Sequence, residues 1–420
     1  MNECKKNLIT TVIIILISAI SGNYIRNFMC SHSNSEPHKL HKSSLEVPRL
    51  RQLLDGRQES NNKAWCYSFK RQNVSSTEFF NKIKRSLLSE DEKIPKKSGV
   101  FRIVMVNKRN YIGEIQMIFR LSKIFDGFGW EWCICDQYNF QHVAKINPDL
   151  VISLRHEIAP YPRCVNLLFI HRDYRFERMV SYEKISNYDG FMQVVPQINE
   201  LESYFSQNHK RLHKITSFLS VEKTDFCELP KTRVFYCGDN WDAKRKIYYN
   251  KLYKLLDSTN YFDIYGPSRR WKKKKIKAYR GYIPAGADGV HKVMQKSGIA
   301  LVLHSDHHLD NNITTSRIFE AAAASCVIIC DRHQFVMENF GDSVFYLDTS
   351  QPVEKIFKQI DAYVKWILAN PDKAMKMAKR SYEIFIKNFT LEKEVEKIKS
   401  LYDYISHNKK KNVSDLYRQS

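Results

Sequence analysis

A short apolar run that ends in a polar loop and then enters a helically spaced segment occurs near residue 101, and the same order of events starts again near residue 233. Phe101–Asn107 leads through a loop with Gly113 to Ile115, Ile118, Phe119, Ser122 and Phe125, which recur at helical spacing. Arg233–Gly238 leads in the same way into a helix expected over Ala243–Leu256. Runs that are apolar on successive residues suit strands covered on both faces. Strands alternating with helices join in parallel, so the chain is expected to be α/β, with mainly parallel sheets covered by helices.

Further strands are expected at 130–135, 150–154, 165–170, 191–195 and 215–219, and after the restart at 262–265, 299–303, 327–330 and 343–347. With 420 residues to place, this pattern divides into two doubly wound, Rossmann-like domains, 99–225 and 226–385. Helices close the chain. Val353, Ile356, Phe357, Ile360, Val364, Ile367 and Leu368 are expected on one face, and a last helix within 386–406 carries Leu391, Val395, Ile398, Leu401 and Ile405. Residues 407–420 read as a basic tail.

The front of the chain differs. Lys5 and Lys6 precede Leu8–Ile20, an apolar run with no charge until Arg26, which predicts a membrane segment within residues 1–30. A retained signal-anchor is favoured over a cleaved signal, although Ala19-Ile20-Ser21 could serve as a cleavage site. Residues 31–98, rich in Ser, His, Asn, Lys and Pro, read as a stem. The expected setting is a single-pass membrane protein. Its catalytic part would face a Golgi or ER lumen in a eukaryote, or the cytosol from the inner membrane of a bacterium. Sequons beginning at Asn73, Asn312, Asn388 and Asn412 are no more than chance supplies.

A net charge of +22 favours anionic partners, among which nucleic acid, lipid headgroups and nucleotide diphosphates compete. No zinc-finger spacing or RNA-binding aromatic motif supports nucleic acid, which is not expected as a partner. Cys133, Cys135, Cys237, Cys326 and Cys330 lie in or beside apolar runs and read as small buried hydrophobes. His304, Asp306, His307 and His308 lack a second ligand pair at a recognisable spacing, so no metal is expected.

Residues 299–331 form one strand, loop, helix, strand unit around "TTSRIFEAAAASCVIICD". In an open parallel sheet the loop His304–Thr315 falls beyond a strand's carboxyl end, where ligands sit. A helix starting near Ser316 offers free N–H groups to a phosphate, with Thr314, Thr315 and Ser316 hydroxyls as donors and Arg317 as countercharge. Glu320 suits a vicinal diol, because a carboxylate accepts two donors side by side. The competing reading is a solvated or Arg-paired helix glutamate.

These residues, with "ILANPDKAMKMAKRSYEIFIKNF" beyond them, resemble the donor-binding half of group 1 glycosyltransferases with the GT-B fold, in the branch bearing R-[IL]-F-E-A. The resemblance implies two facing Rossmann-like domains, a nucleotide-sugar donor in the cleft, and a final helix crossing back to the first domain. It implies metal-independent transfer to a glycan, lipid or protein acceptor with retention at the anomeric carbon, and no cofactor beyond the donor. Glu320 would hold the nucleotide ribose, and Ser316 and Arg317 would border the diphosphate. Gly238 would form a tight turn near the donor, with Lys244 or Arg245 as phosphate cation. Tyr282 and Ile283 would offer backbone groups to the base. Gly113 would approach the donor from the first domain, and His156 or His171 could face the sugar, although a histidine at a strand end is more often structural. Where many relatives carry a first glutamate, this chain has Asn312, leaving that role absent or passed to His304 or Asp306. Ser325 stands where a glycine is common. Competing readings are a degenerate GT-B protein that binds glycans or partners, and a sugar-nucleotide epimerase.

Overall fold

The computed structural model describes Trp65–Cys66 and residues 99–419, except 108–111, 137–142, 144–145, 157, 162, 171–180, 196–197, 239–241, 243, 272–273 and 284–288. The first sheet contains β1 (Trp65–Cys66), β2 (Arg102–Asn107), β3 (Glu131–Asp136), β4 (Leu150–Ser153), β5 (Val165–Ile170), β6 (Gly190–Gln193) and β7 (Lys214–Thr216). Its order is β1-β3-β2-β4-β5-β6-β7, and every neighbouring pair is parallel. The second sheet contains β8 (Arg233–Cys237), β9 (Phe262–Tyr265), β10 (Tyr279–Gly281), β11 (Gly298–Val302), β12 (Val327–Asp331) and β13 (Val344–Leu347). It runs β10-β9-β8-β11-β12-β13, again parallel throughout.

The unbroken apolar runs explain the centres of both sheets. β2, β4, β5, β11 and β12 are buried along their whole length, because helices cover both faces of a parallel sheet. The longer helices are α1 (Ile112–Gly127), α2 (Asn199–Gln207), α3 (Tyr249–Asp257), α4 (Gly289–Ser297), α5 (Ser316–Ala323), α6 (Gln334–Phe340), α7 (Val353–Ala369), α8 (Pro371–Asn388) and α9 (Leu391–Gln419).

Several expectations need correction. β1 lies inside the expected stem and pairs with β3, Trp65 opposite Cys133. β10 is an edge strand where no strand was expected. Val353, Ile356, Ile360, Val364 and Ile367 face the core along α7, whereas Leu368, one step further round the helix, is exposed. The segment read as a basic tail continues α9, and Lys409 Nζ pairs with Asp189 Oδ1 at 2.7 Å. Among the described residues no helix is long and apolar enough to cross a membrane. The expected anchor, residues 1–30, lies outside the described residues, as does the stem apart from β1.

Two passages of chain link the halves and are bonded to each other. The Leu391 N–H donates to the Val221 carbonyl at 2.8 Å, and the Phe218 N–H donates to Glu394 Oε2 at 3.1 Å. Phe218 packs against Phe335, Phe319 and Phe389 with ring centroids 4.9, 5.6 and 5.8 Å away. α9 then returns over the first half, where Tyr402 meets Phe101 edge-on at 4.7 Å. A Cβ on Gly190 would lie 2.9 Å from Ile405 Cδ1, so α9 sits tightly on β6.

Candidate functional site

Strand order reverses between β2 and β4 in the first sheet and between β8 and β11 in the second. The connections leave in opposite directions at such a point, opening a crevice beyond the carboxyl ends of the strands. Gly113, in the first turn of α1, follows β2, and His156 follows β4. Gly238 follows β8 and leads to the wide helical turn Lys244–Tyr248, which contains Lys244 and Arg245. The segment His304–Arg317 follows β11. His171 lies outside the described residues.

The loop after β11 is more ordered than a polar connection. Ser305 Oγ accepts the His308 N–H at 3.2 Å and caps a one-turn helix, Asp306–Asp310. Thr315 caps α5, its Oγ1 accepting the Arg317 N–H at 3.5 Å. Thr314 Oγ1 is buried and has no hydrogen-bond partner among the described residues. α5 is buried from Ile318 to Ala323, and its alanines allow neighbouring elements to approach closely.

Glu320 is the only charged side chain on that buried stretch of α5. Its Oε1 accepts from Arg120 Nη2 of α1 at 2.6 Å, and its Oε2 accepts from Arg317 Nη1, one turn earlier on α5. Burial alone would raise the Glu320 carboxyl, but the Arg317 and Arg120 guanidiniums outweigh it and hold it below the usual carboxylate range. Glu320 is therefore ionised and joins the two halves. Arg317, expected to border a diphosphate, is engaged with this carboxylate.

A cavity of about 300 Å³ adjoins the pair, lined by Arg120, Lys123, Val221, Lys223, His291 and Glu320 among others. A second, of about 60 Å³, is lined by Met117, Arg120, Phe218, Ser220, Ser316 and Leu391. Sequence reading missed Arg120, Ser220 and His291. Arg120 lies beside the buried Met117, Leu121 and Ile124 of an otherwise apolar helix face. An arginine in such a setting is the one signal the sequence contained.

His304 and Asp306, considered for the role of the missing first glutamate, each have a partner within the protein. His304 is fully buried; its Nδ1 meets Asp331 Oδ1 at 2.6 Å and its backbone N–H donates to Asp331 Oδ2 at 2.7 Å. Its Nε2 accepts the Thr315 N–H at 3.4 Å, so Nδ1 carries the proton and the ring braces the start of α5 from behind. Burial raises the Asp331 carboxyl, but His304 outweighs this and holds it low. Asp306 is exposed and pairs with Lys244 Nζ at 2.6 Å. Asn312 has a φ of 50°, and its Oδ1 accepts the Phe335 N–H at 3.2 Å, tying the loop to α6.

His304, Cys330 and Asp331 place possible metal-ligand atoms within 4.8 Å of one another. Hydrogen bonds within the group already use them: Cys330 Sγ donates to Asp331 Oδ1 at 3.4 Å, and His304 Nδ1 is held by the same oxygen. On the opposite side of the crevice, Gly266 has a φ of 152°, and a Cβ there would lie 2.4 Å from the Gly238 carbonyl oxygen. Trp271 Nε1 donates to that oxygen at 2.9 Å, fixing the turn after β8. Ile283 is buried in the core, and Tyr282 is partly exposed beside it.

Two parallel α/β halves, crossed by a terminal helix and sharing a crevice at their switch points, define the GT-B class. Residues 244–400 match the family model described as "Glycosyl transferase-like". No curated protein sequence matches the chain. Similar folds occur in sucrose-phosphate synthase from Thermosynechococcus elongatus, with TM-score 0.52, 11% identity, and coverage of 73% of this chain and 100% of that one. A glycosyltransferase from Rickettsia africae has TM-score 0.50 and 13% identity over 74% of this chain and 100% of its own. An alpha-glucosyltransferase solved with UDP and mismatched DNA has TM-score 0.51 and 11% identity over 73% of this chain and 99% of its own.

Proposed function

We propose that the protein transfers a hexose from a nucleotide-diphosphate sugar, bound in the crevice between the halves, to a glycan, lipid or protein acceptor with retention of configuration. The observation that carries this reading is Glu320, an ionised carboxylate buried one turn beyond the capped start of α5. Each of its oxygens already accepts one guanidinium proton, and a carboxylate has capacity for further donors, which a ribose diol supplies. The Ser316 N–H at the start of α5, with the Thr315 and Ser316 hydroxyls, would then receive the diphosphate that follows the ribose. Charge developing on the departing diphosphate would be stabilised there by fixed donors rather than by a metal. The apolar run Leu8–Ile20 supports a membrane tether.

The test is a thermal-shift and donor-hydrolysis screen of UDP-, GDP-, ADP- and CMP-sugars on the full chain, with Glu320→Gln in parallel. A shift and slow hydrolysis with one nucleotide, both lost in the variant, are expected. No response to any of the four would replace the enzyme reading with that of a degenerate cleft that binds glycans or partners.

A further inference from the structure

Charge at the junction of the halves does not balance. Two guanidiniums, Arg120 and Arg317, face the single carboxylate of Glu320, whose side chain is 3% exposed, while those of Arg120 and Arg317 are 14% and 22% exposed. Nearby Lys123 already faces its own partner, Glu222 Oε1, at 3.6 Å. A half-desolvated cluster with one excess positive charge is costly unless an anion joins it. Arg120 also borders both cavities, one reaching Glu320 and the other reaching Ser316 at the start of α5. Its Nη2 is committed to Glu320, and its Nη1 makes only a long contact, 3.5 Å, to the Ser220 carbonyl.

We propose that Arg120 is the first half's binding residue for the anionic part of the donor, a diphosphate lodged between the Arg120 guanidinium and the start of α5. This rests on the nucleotide-sugar reading above and adds a residue from the opposite half to the donor site. Binding the diphosphate neutralises the excess charge and holds the halves together through a guanidinium shared with Glu320. Donor binding then depends on both halves even for a ligand that carries neither base nor sugar.

Inorganic pyrophosphate titrated calorimetrically into the full chain tests this, alongside Arg120→Gln, Arg120→Lys and the double variant Arg120→Gln/Glu320→Gln. The wild type is expected to bind, Arg120→Gln to bind about 10- to 100-fold more weakly, and Arg120→Lys to fall between them. The double variant keeps the cluster's net charge and releases Arg317, so it is compared with Glu320→Gln alone, than which it is expected to bind about 10- to 100-fold more weakly; it also decides the matter where Arg120→Gln fails to fold. Equal affinity in the double variant and in Glu320→Gln would show that Arg120 serves Glu320 alone and overturn the proposal. A wild type that binds a nucleotide sugar but not pyrophosphate overturns the proposal and leaves the donor reading standing. Binding of neither overturns both.

Discussion

Arg120 and Glu320 lie 200 residues apart in sequence and 2.6 Å apart in the fold, and they form a charged contact between the two halves. Removing one partner of a buried pair strands the other, so Glu320→Ala should lower stability by about 3 kcal/mol. Adding Arg120→Ala should restore part of that loss. A double-mutant cycle in urea should give a coupling energy of at least about 1 kcal/mol, and a value near zero would show that the pair is not energetically engaged.

Asp331 sets the protonation pattern of His304. Asp331→Asn would present an N–H donor toward Nδ1, forcing the proton to Nε2 and turning a donor against the Thr315 N–H. Nitrogen NMR of the imidazole should show the switched tautomer, with a stability loss of about 3 kcal/mol. An unchanged ring signal would remove Asp331 from this role.

Acid should weaken the fold well above the carboxylate range. Burial lowers His333 to about 4. An unfolded imidazole titrates near 6.5, so between those values the unfolded chain binds a proton that the fold does not. The contribution of His333 is complete above about pH 6.5 and is lost as pH falls toward 4, on the order of 3 kcal/mol. The lowered Glu320 and Asp331 carboxyls act in the same direction but lose their contributions at lower pH. Urea midpoints from pH 7 to 4.5 should fall steeply in the wild type and less so in His333→Asn.

Ser325 closes α5 in a glycine-like conformation, with a φ of 57°. The Cys326 N–H donates to Ala321 O and the Ser325 N–H to Ala322 O, both at 3.0 Å, the bonding of a Schellman turn. Ser325 Oγ also accepts the Cys227 N–H at 2.9 Å. Ser325→Gly should relieve about 1 kcal/mol of backbone strain while losing a bond of similar worth, leaving stability nearly unchanged. Ser325→Ala keeps the strain and loses the bond, so its denaturation midpoint should fall below that of the glycine variant.

The sequence disclosed most where local chemistry decides structure. Buried parallel strands such as β2, β5 and β12 are apolar on successive residues, and the start of α5 follows from Thr315 and Ser316. β10 escaped notice because Tyr279, Arg280 and Gly281 form an edge strand with no buried residue. α8 carries Lys373, Lys376, Lys379 and Arg380 on its exposed side, which masks the sparse buried positions Ala374, Ala378 and Phe385. Glu320 could be singled out within one helix, but its partner Arg120 could not, because no local pattern encodes a contact between separate domains. His304 shows the same limit: a loop histidine looks accessible until Asp331 arrives from the next strand.

α9 packs back onto the half made before the second domain, and this orders events on the ribosome. Residues 101 to 216 leave the exit tunnel before the second half, yet the places where Tyr402 meets Phe101 and Ile405 meets Gly190 stay bare until α9 has been made. The nascent first half must therefore wait, partly uncovered, for α9 to emerge, and a message that stops before α9 would release a protein whose older half is the unfinished one.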